Sequence, residues 1–428
     1  MPIVTVSSRN VADKAVLLVM RMLFLSIVSV WLVSTAIAGN HIYHTNVKSL
    51  QAVVNQDWLS PTVMRLKYDD RLYIAFDELS HDNHRYICQV EHCEADWSVS
   101  EDLFETDWLD GFSSFTIDDY ERSINTTVPY THYRFTIPNE QCRLLLSGNY
   151  RLHIIDDDIQ EEIASVEFMV TEQSMPLTMS ASTNTDIDNN GSHQQVAFSA
   201  SFGDHLITDI EGQIQTVVMQ NGREDTWRKN VRPSMIWDHG LRWEHRKDLI
   251  FDGGNEYRKF EVLSTSHPTM GIERISWDGE TYQAYPFVSE PRPVYLYDED
   301  ANGAFYIRNS DNRENDVISD YVWVNFRLKS DRIDNGSIII DGRWTTEDSQ
   351  SYEMTYDEES KLYTARILLK QGYYSYQYLW ITPDGKSHPL PSEGNFFETE
   401  NRYQTLIYYK GIGERTWRLT GYEQITLR

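Results

Sequence analysis

Apolar and polar residues alternate with period two in short runs from end to end of the chain after residue 38, and no long run at helical spacing competes with them. Tyr133, Phe135 and Ile137 share one face of a predicted strand over 131–137. The same device is predicted at 165–170, at Val196, Phe198 and Ala200, and at Val322, Val324, Phe326 and Leu328. Its clearest form is Tyr374, Tyr376, Tyr378 and Trp380, set against Ser375, Gln377 and Leu379. Turn signals separate the runs: Ser147-Gly148-Asn149, Asn190-Gly191, Asn221-Gly222, Asp252-Gly253-Gly254-Asn255, Asn335-Gly336 and Asp384-Gly385. The predicted class is all-β.

Two stretches break the rhythm. Residues 171–193 are polar and carry Pro176, and 289–293 hold two prolines between aromatic strands. They divide the chain into three predicted β-sandwiches, 39–172, 173–290 and 291–428, each of ordinary domain size. Residues 1–38 differ from the rest. Arg21 precedes the apolar run Leu23–Val33, and Ala36 and Ala38 follow at the spacing a signal peptidase reads, so a cleaved secretory leader is expected. Gly39 stands where a lipoprotein would need cysteine, so the mature chain is expected to be unlipidated and to have no membrane span.

Charge narrows the function. The formal net charge is −27, and removing Arg9, Lys14, Arg21 and Asp13 with the leader takes away a net +2, leaving −29. A phosphate backbone would be repelled, which excludes nucleic acid. Cys88, Cys93 and Cys142 are few for an exported protein. On one strand Cys88 and Cys93 would face opposite sides, about 16 Å apart and beyond disulfide reach. The set reads first as small buried apolar residues. A single bridge from Cys142 to Cys88 or Cys93 is the alternative.

No nucleophile elbow, zinc-binding histidine pair or phosphate loop occurs, so the chain is read as non-enzymatic and without a cofactor. Two segments read D-x-D-x-N-G, at Asp186, Asp188 and Asn190 and at Asp298, Asp300 and Asn302. Such spacing can wrap calcium, but position twelve holds Ala197 or Asn309 instead of a bidentate glutamate, so both are read first as turns and only weakly as cation sites. Large rings in an acidic loop mark the candidate partner surface: Asp96 and Trp97, then Trp108 and Asp110. Asn255, Tyr257 and Arg258, where charges alternate with rings, join them as interface candidates. The opposing expectation is that Trp97 and Trp108 fold inward and seal the first sandwich.

Several segments, taken in order, resemble the plug proteins of the Bacteroidetes type IX secretion system. They are His92-Cys93 with Asp96-Trp97, Asp110-Gly111-Phe112, Thr131-His132-Tyr133, Ser147-Gly148-Asn149-Tyr150 and 254–260 (GNEYRKF). Further along come 369–373 (LKQGY), 394–401 (GNFFETEN), Leu406-Ile407-Tyr408-Tyr409 and Gly413-Glu414-Arg415. The resemblance implies a periplasmic protein on the inner side of the outer membrane. It would close the periplasmic opening of a giant outer-membrane β-barrel translocon when no cargo passes. The third unit also looks like an early-set immunoglobulin-like sandwich of the kind found in glycogen-binding modules, on Gly342-Arg343-Trp344, Met354-Thr355-Tyr356-Asp357 and the Tyr374–Trp380 run. That likeness motivates the alternative, a carbohydrate-binding or surface glycan protein, which needs those rings exposed in a groove.

Overall fold

All the strands expected from alternation are present in the structure, a computed structural model that describes residues 39–428: Thr131–Ile137, Glu161–Thr171, His193–Ser201, Tyr321–Leu328 and Gly372–Ile381. The expected leader, 1–38, lies outside the described residues.

The first sandwich packs one sheet on another. Gly148–Asp156 runs antiparallel between Glu161–Thr171 and Tyr86–Cys93, with Tyr150 opposite both Phe168 and His92. The facing sheet orders Val47–Val54, Leu72–Glu78, Thr131–Ile137 and Tyr120–Arg122. Phe76 stacks on Tyr133 at 5.2 Å and meets Tyr86 edge-on, so the inward alternation becomes an aromatic core. Cys88, Cys93 and Cys142 are buried and free, and burial pushes the Cys93 and Cys142 thiols up to about 12.

The second packing sets Leu177–Ser182, His193–Ser201, Gly240–Trp243 and Met235–Trp237 against Arg228–Lys229, Ile214–Gln220, Asn401–Tyr409 and Arg418–Leu427. Its first strand lies inside the polar stretch read as a seam. Leu177, Met179 and Ala181 turn inward onto the core while serine and threonine face water, and Pro176 stands just before the strand, where no ladder bond is lost.

The third packing sets Arg258–Val262, Gly372–Ile381 and Phe305–Ile307 against Ile272–Trp277, Tyr282–Pro286, Tyr321–Leu328 and Leu362–Lys370. Strand pairing therefore crosses residue 290 in both directions. Residues 258–286 pair within the third packing, and the last two strands return to the second, where Ile214 lies opposite Tyr409. Proline content marked a bend there, but register is set by which strand edge is free, and that is not local information.

Asp384-Gly385 makes the expected hairpin, with Gly385 at φ +80°, a conformation a Cβ would strain. Asp252–Asn255 does not turn back. It passes from Ile250–Asp252 to Arg258–Val262 and carries the chain from the second packing to the third.

Candidate functional site

The acidic, ring-bearing loop turns its two tryptophans inward and leaves Phe104 and Phe112 exposed. Trp97 sits in a tight turn at φ +70° with its side chain buried. The Glu94 carboxylate accepts from Thr416 Oγ1 (2.8 Å) and the Trp417 N–H (3.1 Å), which ties the first sandwich to the chain's last hairpin. Trp108 is also buried, against Tyr150 and His92. Asp96 and Asp110 remain at the surface. Asp96 accepts from the Ser98 hydroxyl at 2.6 Å, which holds its carboxyl below the usual range, and Asp110 pairs with Arg143.

The second group of candidates forms a seam. Tyr257 is buried and its hydroxyl accepts from Gln377 Nε2 at 2.9 Å. Asn255 donates to the Glu393 carbonyl at 2.6 Å. Arg258 grips the Glu393 carboxylate through Nε (3.0 Å) and Nη2 (2.8 Å), and Arg292 holds the same carboxylate from the other side. Around this triad two of the segments that carry the family resemblance close on each other. The Gly254 N–H donates to Asn395 Oδ1, the Phe396 N–H to the Gly254 carbonyl, and Asn401 Nδ2 to the Gly253 carbonyl. Trp97, Trp108 and Tyr257 thus spend their rings inside the molecule: Trp108 in the core of the first sandwich, Trp97 and Tyr257 in segments that tie one packing to the next.

Neither D-x-D-x-N-G segment gathers its oxygens. Lys259 holds Asp298 at 2.7 Å, and Asp300 accepts from the Asn302 and Tyr257 N–H groups. In the other turn His245 and Gln195 take Asp186, while His193 and Thr185 take Asp188. No group of three histidine, cysteine or acidic side chains among the described residues could hold a metal ion.

A second seam escaped the sequence. Asp77, 1% exposed, receives Lys370 Nζ and the Tyr321 hydroxyl on Oδ2, and the His132 Nδ1–H on Oδ1, each at 2.6 Å. Lys370 also donates to the Asp316 carbonyl and rides 4.0 Å from the Tyr130 ring. Burial disfavours the Asp77 charge, but Lys370 and His132 outweigh it and hold the carboxyl below its ordinary value. This buried group joins the first sandwich to the third. Its only sequence signal was that His132 and Lys370 both fall in segments of the family resemblance.

Comparison with known proteins follows this division. The profile of the type 9 secretion system plug protein first domain matches residues 47–172, which span the first sandwich from Val47 to the end of Glu161–Thr171. A crystal structure of a hypothetical protein from Parabacteroides merdae is similar at 34% identity and a TM-score of 0.88, over 91% of this chain and 99% of that one. The chain belongs to the type IX secretion system plug protein family. More distant is the C-terminal domain of an antigen I/II-family protein of Streptococcus pyogenes, with 7% identity over 89% of this chain and 99% of that one, and a TM-score of 0.17. The chain has no match among curated proteins.

Apolar side chains stand exposed both in the acidic loop, where Phe104 and Phe112 face water, and away from it. Met235, Ile236 and Trp237 are 54%, 60% and 38% exposed on an edge strand, and Val294, Leu296 and Tyr297 stand out from the segment that follows Pro293. Three apolar residues in a row without alternation was the available signal at 235–237. The Tyr374, Tyr376 and Tyr378 rings are 2%, 4% and 2% exposed, so the ladder on which a glycan platform depended lies in the core. No helix among the described residues is long and apolar enough to cross a membrane.

Proposed function

We propose that this plug-family protein acts without catalysis, by occupying the periplasmic opening of the giant outer-membrane β-barrel translocon of the type IX secretion system when cargo is absent. The observation that carries the reading is the plug first-domain match at 47–172. The build of the molecule supports it. Closing a wide opening needs a body that does not deform, and the described residues hold together as one unit. Three core packings are tied by the Asp77–Lys370, Glu94–Thr416 and Arg258–Glu393 contacts. Release on arrival of cargo calls for a contact in the transient range, on the order of 1,600 Å² or less. A formal charge of −29 after loss of the leader steers the body toward a basic rim and keeps it dispersed once displaced.

The experiment is a conductance measurement on outer membranes from cells with and without the protein, paired with retrieval of the tagged chain from detergent extracts. Larger conductance in its absence, and recovery of a large barrel subunit with the tag, are the expected results. Unchanged conductance and permeability after deletion would remove the sealing role while leaving family membership intact.

A further inference from the structure

At the edge of the first sandwich, between its two sheets, a cavity of about 630 Å³ opens beside the strand Thr131–Ile137. That size falls inside the roughly 300–1,000 Å³ range of ligand sites. Its floor is apolar, made by Val53, Tyr73, Phe115 and Phe135. Its mouth is acidic, with Asp118, Asp119, Glu140 and Asp316 against a single cation, Arg134, whose Nε is already bonded to Asp119 at 2.9 Å.

At the inner end lies His132. Its side chain is 2% exposed, its Nδ1 proton is committed to Asp77, and its Nε2 lines the cavity with no hydrogen-bond partner. The Asp316 carboxylate stands 3.8 Å from that nitrogen and is half exposed. With the Nδ1 proton on Asp77, the neutral ring presents Nε2 as an acceptor, and the Asp316 carboxylate beside it has only the Arg134 guanidinium at 3.9 Å, too long for a hydrogen bond, so neither has a close donor among the described residues. An ammonium or guanidinium supplies donors to both. An anion or a neutral apolar molecule satisfies neither.

The strand beside the cavity says what carries the cation. Tyr120–Arg122 pairs with Thr131–Ile137 only through Tyr133, and the Arg134 N–H goes to the Asp119 carbonyl. Beyond that point Phe135, Thr136 and Ile137 have a strand neighbour on one side alone, the Leu72–Glu78 strand. An extended peptide can lie along this edge and send alternate side chains into the cavity.

We propose that the cavity bounded by His132, Asp316 and Phe135 is a recognition site for an extended peptide carrying a lysine or arginine side chain next to an apolar one. The apolar side chain covers Phe115 and Phe135, and the cation sits between His132 Nε2 and Asp316. The site stands independently of whether the chain closes a translocon.

Fluorescence anisotropy with the purified protein tests it. The probe is a labelled pentapeptide of alternating phenylalanine and arginine, compared with the same peptide carrying citrulline in place of arginine. Saturable binding of the arginine peptide is expected, with the citrulline peptide weaker by about tenfold or more. Asp316→Asn should weaken the arginine peptide by about tenfold with no change in melting temperature, since that carboxylate holds no close hydrogen bond. Asp384→Asn, which removes the same charge at a hairpin outside the cavity, should leave affinity unchanged. Equal affinity for the two peptides, indifference to Asp316→Asn, or an equal loss in both variants would overturn the proposal.

Discussion

Between the first and third packings the chain hides a lysine, an aspartate and a histidine from water, while at one edge of the second it leaves a methionine, an isoleucine and a tryptophan in it. The seam is polar where the molecule is dry, and the hairpin is apolar where the molecule is wet. Desolvation makes every partner at the seam compulsory, because a charge left alone at the site of Asp77 has no water to fall back on. Nothing comparable constrains the hairpin tip. The contrast separates residues that make the plug-family chain one body from residues free to meet another.

The sharpest break would come from Lys370→Met. It leaves Asp77 with the His132 and Tyr321 hydrogen bonds but no primary ammonium, and should lower unfolding free energy by about 3–5 kcal/mol, read from the denaturant midpoint at unchanged slope. Adding Asp77→Asn should recover part of that loss, since the two side chains share one interaction. A loss under about 1 kcal/mol would mean water reaches the seam, and the comparison would fail.

Glu393→Gln comes next. Arg258 and Arg292 lose their shared anion but keep the Glu290 and Glu256 carbonyls, at 2.7 Å each. About 1.5–3 kcal/mol is expected by the same measurement, the range of hydrogen bonds to charged groups.

The sequence carried the fold class and the long strands because alternation is local: Thr131–Ile137 was legible in its own seven residues. Strand order was not, because the pairing of Ile214 with Tyr409 depends on which edge the folded middle sheet leaves open. The candidate site was legible only in part. Rings in acidic loops signal burial and binding alike; Trp97 and Tyr257 fall on the buried side where one packing is tied to another, and Trp108 because it completes the core of the first sandwich, while Phe104 and Phe112 of the same loop stay exposed. Asp77 and Lys370 lie 293 positions apart, and neither residue alone announces a partner. The acidic mouth around Asp118 and Asp119 looked like one charge cluster among many in a chain with 65 acidic residues.

A smaller effect tests whether a seam's charge balance is felt through pH. Burial raises the Asp300 carboxyl to about 7 from an ordinary 3.8. Between those values the folded protein holds a proton that the unfolded chain has released. Stability contributed by Asp300 is therefore complete below about 3.8 and is lost as pH rises through about 7. Melting temperature should fall between pH 5 and pH 8, and Asp300→Asn, which can still accept from the Tyr257 and Asn302 N–H groups, should flatten that fall by an amount on the order of 1 kcal/mol. An identical pH profile in the variant would show that the carboxyl is ionised throughout.

The hairpin itself should respond least, and not uniformly. Met235 and Ile236 project into solvent from a three-residue edge strand, so Met235→Ser with Ile236→Ser should change stability by no more than about 0.5 kcal/mol. Trp237 differs from them. Its ring lies 2.4 Å from where a Cβ on Gly240 would be, covering the residue it pairs with across the strands. Removing it uncovers that backbone, so Trp237→Ala should cost more than the double serine variant, by about 1 kcal/mol. If instead the serine variant destabilised as much as Glu393→Gln, Met235 and Ile236 would be part of the packed body, and the distinction between the gripping seam and the free edge would collapse.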